Sequence, residues 1–348
     1  MSTRRATIAD VAREAGVAAS TASVVFSGKT AVSEATRRRV LDAAASLGYT
    51  GPDPRAASLR RGRSGIVGVV FEEHLGVAFL DPVNTLMMDG LADGVAPIGA
   101  GLLLLRDDNQ GREPTLTSAP LDAAVLVGCS GRLRESLATV RGRGIPVVVI
   151  EGDAGEGVPR IELDNREAQR QMASHLRSLG HERVVALTLP RDARRLPGWY
   201  AEEDELGIDV TRDRLAGFRD VFPEAPAYAA GASSIDDGLA AGRIVFADPE
   251  RRPTAVVAQS DLLAAGAIRA AEEAGLRVPA DLSVTGFDGI SVDGLAPYTL
   301  TTMVQPAADK GRAAGEAVAA VIAGRDAASI RFTCRFREGN TAGPAPVA

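Results

Sequence analysis

Three places in this 348-residue chain set side chains where they could grip a small polar molecule. Asp288 ends the apolar run LSVTGFD (282–288). Ser260 and Asp261 close and follow the run TAVVAQS (254–260), and Arg214 opens the segment RLAGF. A carboxylate accepts from two hydroxyls at once, and a guanidinium donates a planar fork. Asp288 and Arg214 therefore suit a polyol such as a sugar or a nucleoside. Each residue also has a plainer use: Asp288 as the cap of the next turn, Asp261 as the cap of its helix, Arg214 as a surface ion-pair partner. Position favours the ligand, because open α/β sheets bind ligands beyond the carboxyl ends of their strands.

Covalent and metal chemistry find little support. The chain carries no GxSxG elbow, GKS/T phosphate loop or HExxH zinc pair. Cys129 has no histidine set beside it in sequence, and His175 and His181 flank a helix end, where His181 (in LGHER) reads as structural. The Gly62–Gly65 pair lacks the strand–turn–helix context of a nucleotide loop. No catalytic residue, metal or cofactor is expected.

The elements that position these residues alternate. Strands are expected at 66–71, 102–106, 123–128, 145–152, 183–189, 254–260 and 282–288. Helices are expected at 83–97, 131–143, 165–179, 211–222 and 261–274. Such alternation argues for parallel sheets covered by helices on both faces, and its restart after residue 165 argues for two lobes with a cleft between them. Two connections are long, 72–82 and 190–213. They leave His74, Phe79, Asp81, Trp199 and Tyr200 without an assigned element. Both should border the cleft, so Phe79 and Trp199 are candidate effector contacts. Trp199, the single tryptophan, either stacks on a ring or pins its loop.

The first fifty residues follow a different plan. Thr7 and Asp10 form a capping pair ahead of Ile8, Val11, Ala12 and Ala15, and Gly16 ends that helix. Val17 packs at the corner, and a second helix runs from about Ala18 to Ser27, with Ala22 and Val25 inward and Gly28 as its stop. Ser33 caps a third helix whose inner face is read as Val40, Leu41, Ala44 and Leu47, closed by Gly48. Ala19, Ser20, Ser23 and Val24 then face outward. Small and hydroxyl side chains there let a helix approach base edges, and a methyl can touch a thymine methyl.

Charge agrees with that plan. The net charge is −6 over the whole chain, but residues 1–63 hold eleven Lys/Arg against five Asp/Glu. A basic head on an acidic body suits a DNA-binding module joined to a sensor. Two cysteines in this length read as a reducing, cytoplasmic setting rather than a disulfide framework. Neither a signal peptide nor an apolar run of membrane-spanning length is visible, so no membrane partner is expected.

Residues 7–49 (TIADVAREAGV, then STASVVFSG, then VSEATRRRVLDAAASLGY) resemble the DNA-binding headpiece of the lactose-repressor (LacI/GalR) family, with matching spacing throughout. The resemblance implies that Ala19, Ser20 and Val24 read bases and that Thr21, Ser23 and Ser27 hold phosphate, with Thr7 beside them. Ala18 stands where the family has a capping serine, and Val24 where a polar residue is frequent. PDPRAASL (52–59) resembles the family's hinge helix. By that likeness Leu59 wedges into the minor groove, with Arg55 and Ala56 against the duplex and Ala57 in place of a frequent arginine. GIPVVVI (144–150), DN (164–165), HLRSLGHERV (175–184), SDLLAAGA (260–267), ADLSVTGFD (280–288) and LTTMVQP (300–306) extend the resemblance to the family's periplasmic-binding-protein-like core of two Rossmann-like lobes. It implies an α/β fold behind an all-α head: a headpiece at 1–48, a hinge at 49–63 and a core at 64–348. The N-lobe is then about 64–163 with 304–327, and the C-lobe about 165–303 with 328–344. It places Arg214, Ser260, Asp261 and Asp288 on the effector cleft, with Ser260 replacing a common asparagine. The expected protein is a homodimeric repressor on a palindromic double-stranded operator, governed by a small-molecule effector. The alternative is a sugar-binding protein with an inert headpiece.

Overall fold

The computed structural model describes residues 6–27, 31–51, 62–71, 75–106, 115–128, 132–201 and 203–346. The expected stop at Gly28, the hinge residues Arg55, Ala56 and Leu59, and also His74 and Cys129, lie outside the described residues. The chain divides into two compact units, residues 1–65 and 66–348.

The first unit is a three-helix cluster. Helix α1 (Ile8–Glu14) starts at a reciprocal capping box: Thr7 accepts from the Asp10 amide and Asp10 accepts from the Thr7 amide. Gly16 takes φ +64°, the left-handed geometry that ends α1. Helix α2 (Ala19–Ser27) buries Ala22 and Val25. Helix α3 (Glu34–Ser46), capped by Ser33, buries Val40, Ala43 and Ala44. Leu41, expected inside, is 45% exposed, and Leu47 is exposed as well. The inward stripe follows the i, i+3, i+4 positions from Val40; Leu41 lies a hundred degrees round the helix, and Leu47 belongs to the C-cap.

The second unit holds two sheets. The N-lobe sheet comprises β1 (Ile66–Phe71), β2 (Gly101–Arg106), β3 (Ala123–Val127), β4 (Val147–Ile150), β5 (Arg160–Leu163) and, from the far end of the chain, Ile330–Phe332. Its helices are α4 (Leu75–Ala78), α5 (Pro82–Val95) and α6 (Leu133–Gly142). The C-lobe begins with α7 (Asn165–Ser178), followed by β6 (Val184–Thr188), β7 (Gly198–Trp199), α8 (Asp209–Arg219), β8 (Ala227–Ala229) and α9 (Ile235–Val245). It continues with β9 (Ala255–Ala258), α10 (Asp261–Glu273), β10 (Ser283–Asp288) and β11 (Thr301–Val304). The chain then returns to the N-lobe through α11 (Ala307–Ile322) and β12 (Ile330–Phe332), and ends its pairing in the C-lobe with β13 (Arg335–Arg337). The sheet orders are β12-β5-β4-β3-β1-β2 and β13-β11-β10-β9-β6-β8-β7, parallel except for the terminal pairs β11–β13 and β7–β8. Apolar clusters cover both faces of each sheet, so all four strand faces of the core are buried.

The chain crosses between lobes at 164, at 305–306 and at 333–334. The third crossing corrects an expectation near residue 328, because Ile330–Phe332 pairs with β5 and still belongs to the N-lobe sheet. Hydrogen bonds tie the first and third crossings: the Asp164 amide donates to Phe332 O (3.1 Å), and the Cys334 amide donates to Asp164 Oδ1 (2.9 Å).

Candidate functional site

In the first unit the outward face of α2 presents Ala19, Ser20, Ser23 and Ser27 exposed, with Thr21 and Val24 half-buried. Val24 does double duty, since its carbonyl accepts from Ser27 Oγ at 3.3 Å. Phe26 meets Tyr49 edge-on at 5.3 Å on the inner side of the helix. Thr7 spends its side chain on the capping box. Ala18 precedes α2 and has no side-chain oxygen with which to cap it.

The second unit encloses a cavity of about 130 Å³ at the carboxyl ends of the strands of both lobes. Local sequence explains its lining. Asp288 is the last residue of β10 and takes φ +115°, a strained backbone for a side chain-bearing residue. That turn aims its carboxylate inward, where it is buried. Ser260 caps α10, its Oγ accepting from the Leu263 amide at 3.2 Å. Asp81 caps α5, Oδ1 accepting from the Val83 amide at 2.9 Å, with Pro82 at the first helical position.

Arg214, 3% exposed on α8, is the hub. Its Nε donates to Asn165 Oδ1 at 2.8 Å, and Nη1 donates to the Gln259 carbonyl and lies 3.6 Å from Asp288 Oδ1. The guanidinium stacks 3.6 Å above the Phe287 ring. Asp288 Oδ1 also accepts from Gln305 Nε2 at 2.6 Å. Gln305 in turn accepts from Lys310 Nζ, and Lys310 donates to Glu151 Oε1 at 2.6 Å. An unbroken polar chain thus runs Asn165–Arg214–Asp288–Gln305–Lys310–Glu151, from the first crossing through the C-lobe to the N-lobe. Burial pushes the Asp288 carboxyl well above the usual carboxylate range, against the pull of Arg214. Burial raises Asp81 too, opposed first by the Val83 amide and then by the Arg214 charge.

Of the six residues expected at an effector site, the structure brings Arg214, Ser260 and Asp288 to the cavity wall. Asp261 is fully buried behind it. Its carboxylate accepts from Thr302 Oγ1 (2.6 Å) and from the Ile290 amide (2.8 Å), and fills the space a Cβ at Gly286 would need. It holds the β10–β11 ends in place rather than facing a ligand. Phe79 stands one layer back, against the ring of the cavity-lining Phe71 at 5.7 Å. Trp199, 46% exposed, packs edge-on against Tyr228 at 5.3 Å in β7. It lines a separate crevice with Arg177 and Phe222, so its ring pins the long connection and does not reach the cavity. His181 is structural, bonded to Thr254, Ser283 and the Gly343 carbonyl.

Sequence reasoning missed Glu151, Gln305 and Lys310 at the cavity and left Asp81 without a role in a connection expected to border it. Asp81 was legible as a helix cap, since an Asp-Pro pair is an N-terminus signal. A lysine in an alanine-rich helix carries no mark of burial; Lys310 is 2% exposed, its charge met by Glu151 from 159 residues away and by Gln305.

Together the fold and the cleft define a two-lobed binding core joined to a helix-turn-helix head. Residues 7–51 match the bacterial regulatory proteins of the lacI family, and residues 173–338 match the periplasmic binding protein-like domain. The chain is 34% identical over 327 residues to the HTH-type transcriptional regulator Rv3575c of Mycobacterium tuberculosis, with 90% of each chain covered. Its fold is similar to that of the lac repressor dimer bound to operator and the anti-inducer ONPF, with a TM-score of 0.78, 22% identity, and 98% of this chain and 100% of that one covered. It is also similar to the transcriptional regulator CelR–cellobiose complex, with a TM-score of 0.64, 23% identity, and 97% and 100% covered. The chain belongs to the lacI family of bacterial regulatory proteins. It is a DNA-binding transcriptional regulator and not an enzyme. No helix among the described residues is long and apolar enough to cross a membrane.

Proposed function

We propose that this regulator is a cytoplasmic repressor that binds a roughly palindromic operator as a homodimer, and that a sugar- or nucleoside-like effector held between the core lobes sets its affinity for DNA. The observation that carries the effector reading is the polar chain from Arg214 to Glu151, which lines one cavity with groups from both lobes. Arg214 and Asp288 offer a fork and a paired acceptor to vicinal hydroxyls. The cellobiose complex of the similarly folded CelR supports a polyol.

On DNA, Ala19, Ser20 and Val24 are the base-facing residues and Thr7, Thr21, Ser23 and Ser27 the phosphate-facing ones. Arg55, Ala56 and Leu59 supply the minor-groove contact. Helix α5 leaves Leu86 47% exposed, and this apolar surface is part of the subunit contact. An effector that favours one arrangement of the lobes changes how paired N-lobes meet, and so changes DNA affinity by its preference between the two arrangements. The test is titration of neutral sugars and nucleosides onto the protein bound to its selected duplex. Release by one of them, abolished in Arg214→Ala, is expected. No effect from any of them, or the same effect in Arg214→Ala, contradicts the cleft reading.

A further inference from the structure

The wall of the cavity opposite Arg214 and Asp288 belongs to the N-lobe, and of its polar residues Asp81 is a carboxylate with no lysine or arginine paired to it among the described residues. Asp81 lies in the connection that is longer than the family's usual loop, so the resemblance assigns it nothing. Its carboxylate accepts from the Val83 amide at 2.9 Å and lies beside the hydroxyl of Ser233, which precedes α9 in the C-lobe. Ser233 Oγ donates onward to Ser260 Oγ at 3.0 Å. Asp81 thus touches both lobes at the mouth of the cleft. Among the described residues no cation lies within ion-pair distance of it.

The cations of the cavity are already engaged. Arg214 serves Asn165, the Gln259 carbonyl and Asp288, while Lys310 serves Glu151 and Gln305. Arg195 stands half-exposed at the rim. Three carboxylates, Asp81, Glu151 and Asp288, therefore face a space whose buried positive charge is matched within the protein. A ligand hydroxyl can donate to Asp81 and relieve its desolvation. A ligand phosphate or carboxylate brings negative charge against the Asp81 carboxyl, into a space whose buried cations are already paired. Apolar patches from Met87, Ile150 and Val210 line the rest of the wall and suit the C–H faces of one ring.

We propose that Asp81 is the N-lobe's specificity-determining residue: it admits an uncharged, hydroxyl-bearing effector and turns away the phosphorylated or carboxylated forms of the same compound. This rests on the cleft reading given under the proposed function.

The test uses the full-length protein and a panel of neutral monosaccharides, polyols and nucleosides, each beside its phosphate ester, with binding measured by thermal shift and calorimetry. The variants are Asp81→Asn and Asp81→Ser, both of which keep an oxygen able to cap α5, and Arg214→Ala as a cleft control. A neutral compound should bind the wild type at least tenfold more tightly than its phosphate ester. Asp81→Asn and Asp81→Ser should narrow that ratio at least fivefold by strengthening ester binding, a gain that a merely structural Asp81 would not produce. Equal binding of the two forms by the wild type, or an unchanged ratio in both variants, overturns the role of Asp81 and leaves the cleft standing. Binding indifferent to Arg214→Ala, or no binding by any panel member, overturns the cleft reading and this proposal with it.

Discussion

Arg214 and Asp288 are buried together, and each makes the other tolerable. Removing the guanidinium strands a carboxylate in a low dielectric, so Arg214→Ala should destabilise the core by about 3–5 kcal/mol as well as abolish effector binding. Urea denaturation measures the first effect and calorimetry the second; wild-type stability in the variant would show that the pair is not coupled. Asp261 makes a pH prediction. Burial pushes its carboxyl from 3.8 up to about 7, so between these values the folded chain holds a proton that the unfolded chain releases. Its contribution to stability is then full below pH 4 and falls as pH rises toward 7. Comparing Asp261→Asn with wild type by urea denaturation at pH 5 and pH 7.5 should show the wild type losing more stability on going up; parallel changes would contradict it. At this scale the sequence exposed what sits at strand ends. Asp288 and Ser260 were legible there; Arg214, read as opening its helix, instead sits in the middle of α8, and Lys310 and Glu151 depend on each other across 159 residues and show nothing locally. Asp261 looked like a ligand group because a cap, a buried clamp and a ligand contact all call for the same residue at the same place.

The elements of the core meet through glycine. Helices α5 and α11 approach so closely that a Cβ at Gly311 would lie 2.0 Å from Met87 O, and one at Gly94 would lie 2.5 Å from Arg312 O. Gly311→Ala should therefore force the two helices apart and lower stability by about 1–3 kcal/mol, read as a lower melting temperature. An unchanged melting temperature would mean that the contact is looser than the structure shows. In the headpiece, Thr7→Ala removes one half of the capping box and should cost about 1 kcal/mol, seen as fraying of α1 in amide exchange. The helices and strands expected in the core have observed bounds within a few residues of expectation, whereas the 16-residue α11 was not among them. The short strands β7, β8, β12 and β13 were not among them either, since two or three residues are too few to display alternation. Helix α9 escaped for a related reason: Gly238 and Gly242 weaken its helical signal, yet they are what lets it pack against α10.

At the scale of the molecule, the unit at 66–348 contains its own four apolar clusters and needs none from residues 1–65. A chain lacking residues 1–65 should fold, bind effector and elute as a dimer. Leu86→Asp should shift that dimer to monomer by light scattering, and a dimer that survives would place the subunit contact elsewhere. The two-lobe plan was legible because the strand–helix alternation restarts after residue 165. The third crossing was misplaced because nothing in a three-residue strand says which sheet it will join. The central claim is that the head reads DNA, and its most direct test is selection of the full-length protein on random duplex DNA, followed by titration of the selected duplex against salt. The account predicts an enriched, roughly palindromic sequence and an affinity that falls steeply with salt, both lost when residues 1–65 are removed. No enrichment, with or without a mixture of metabolites present, would contradict it.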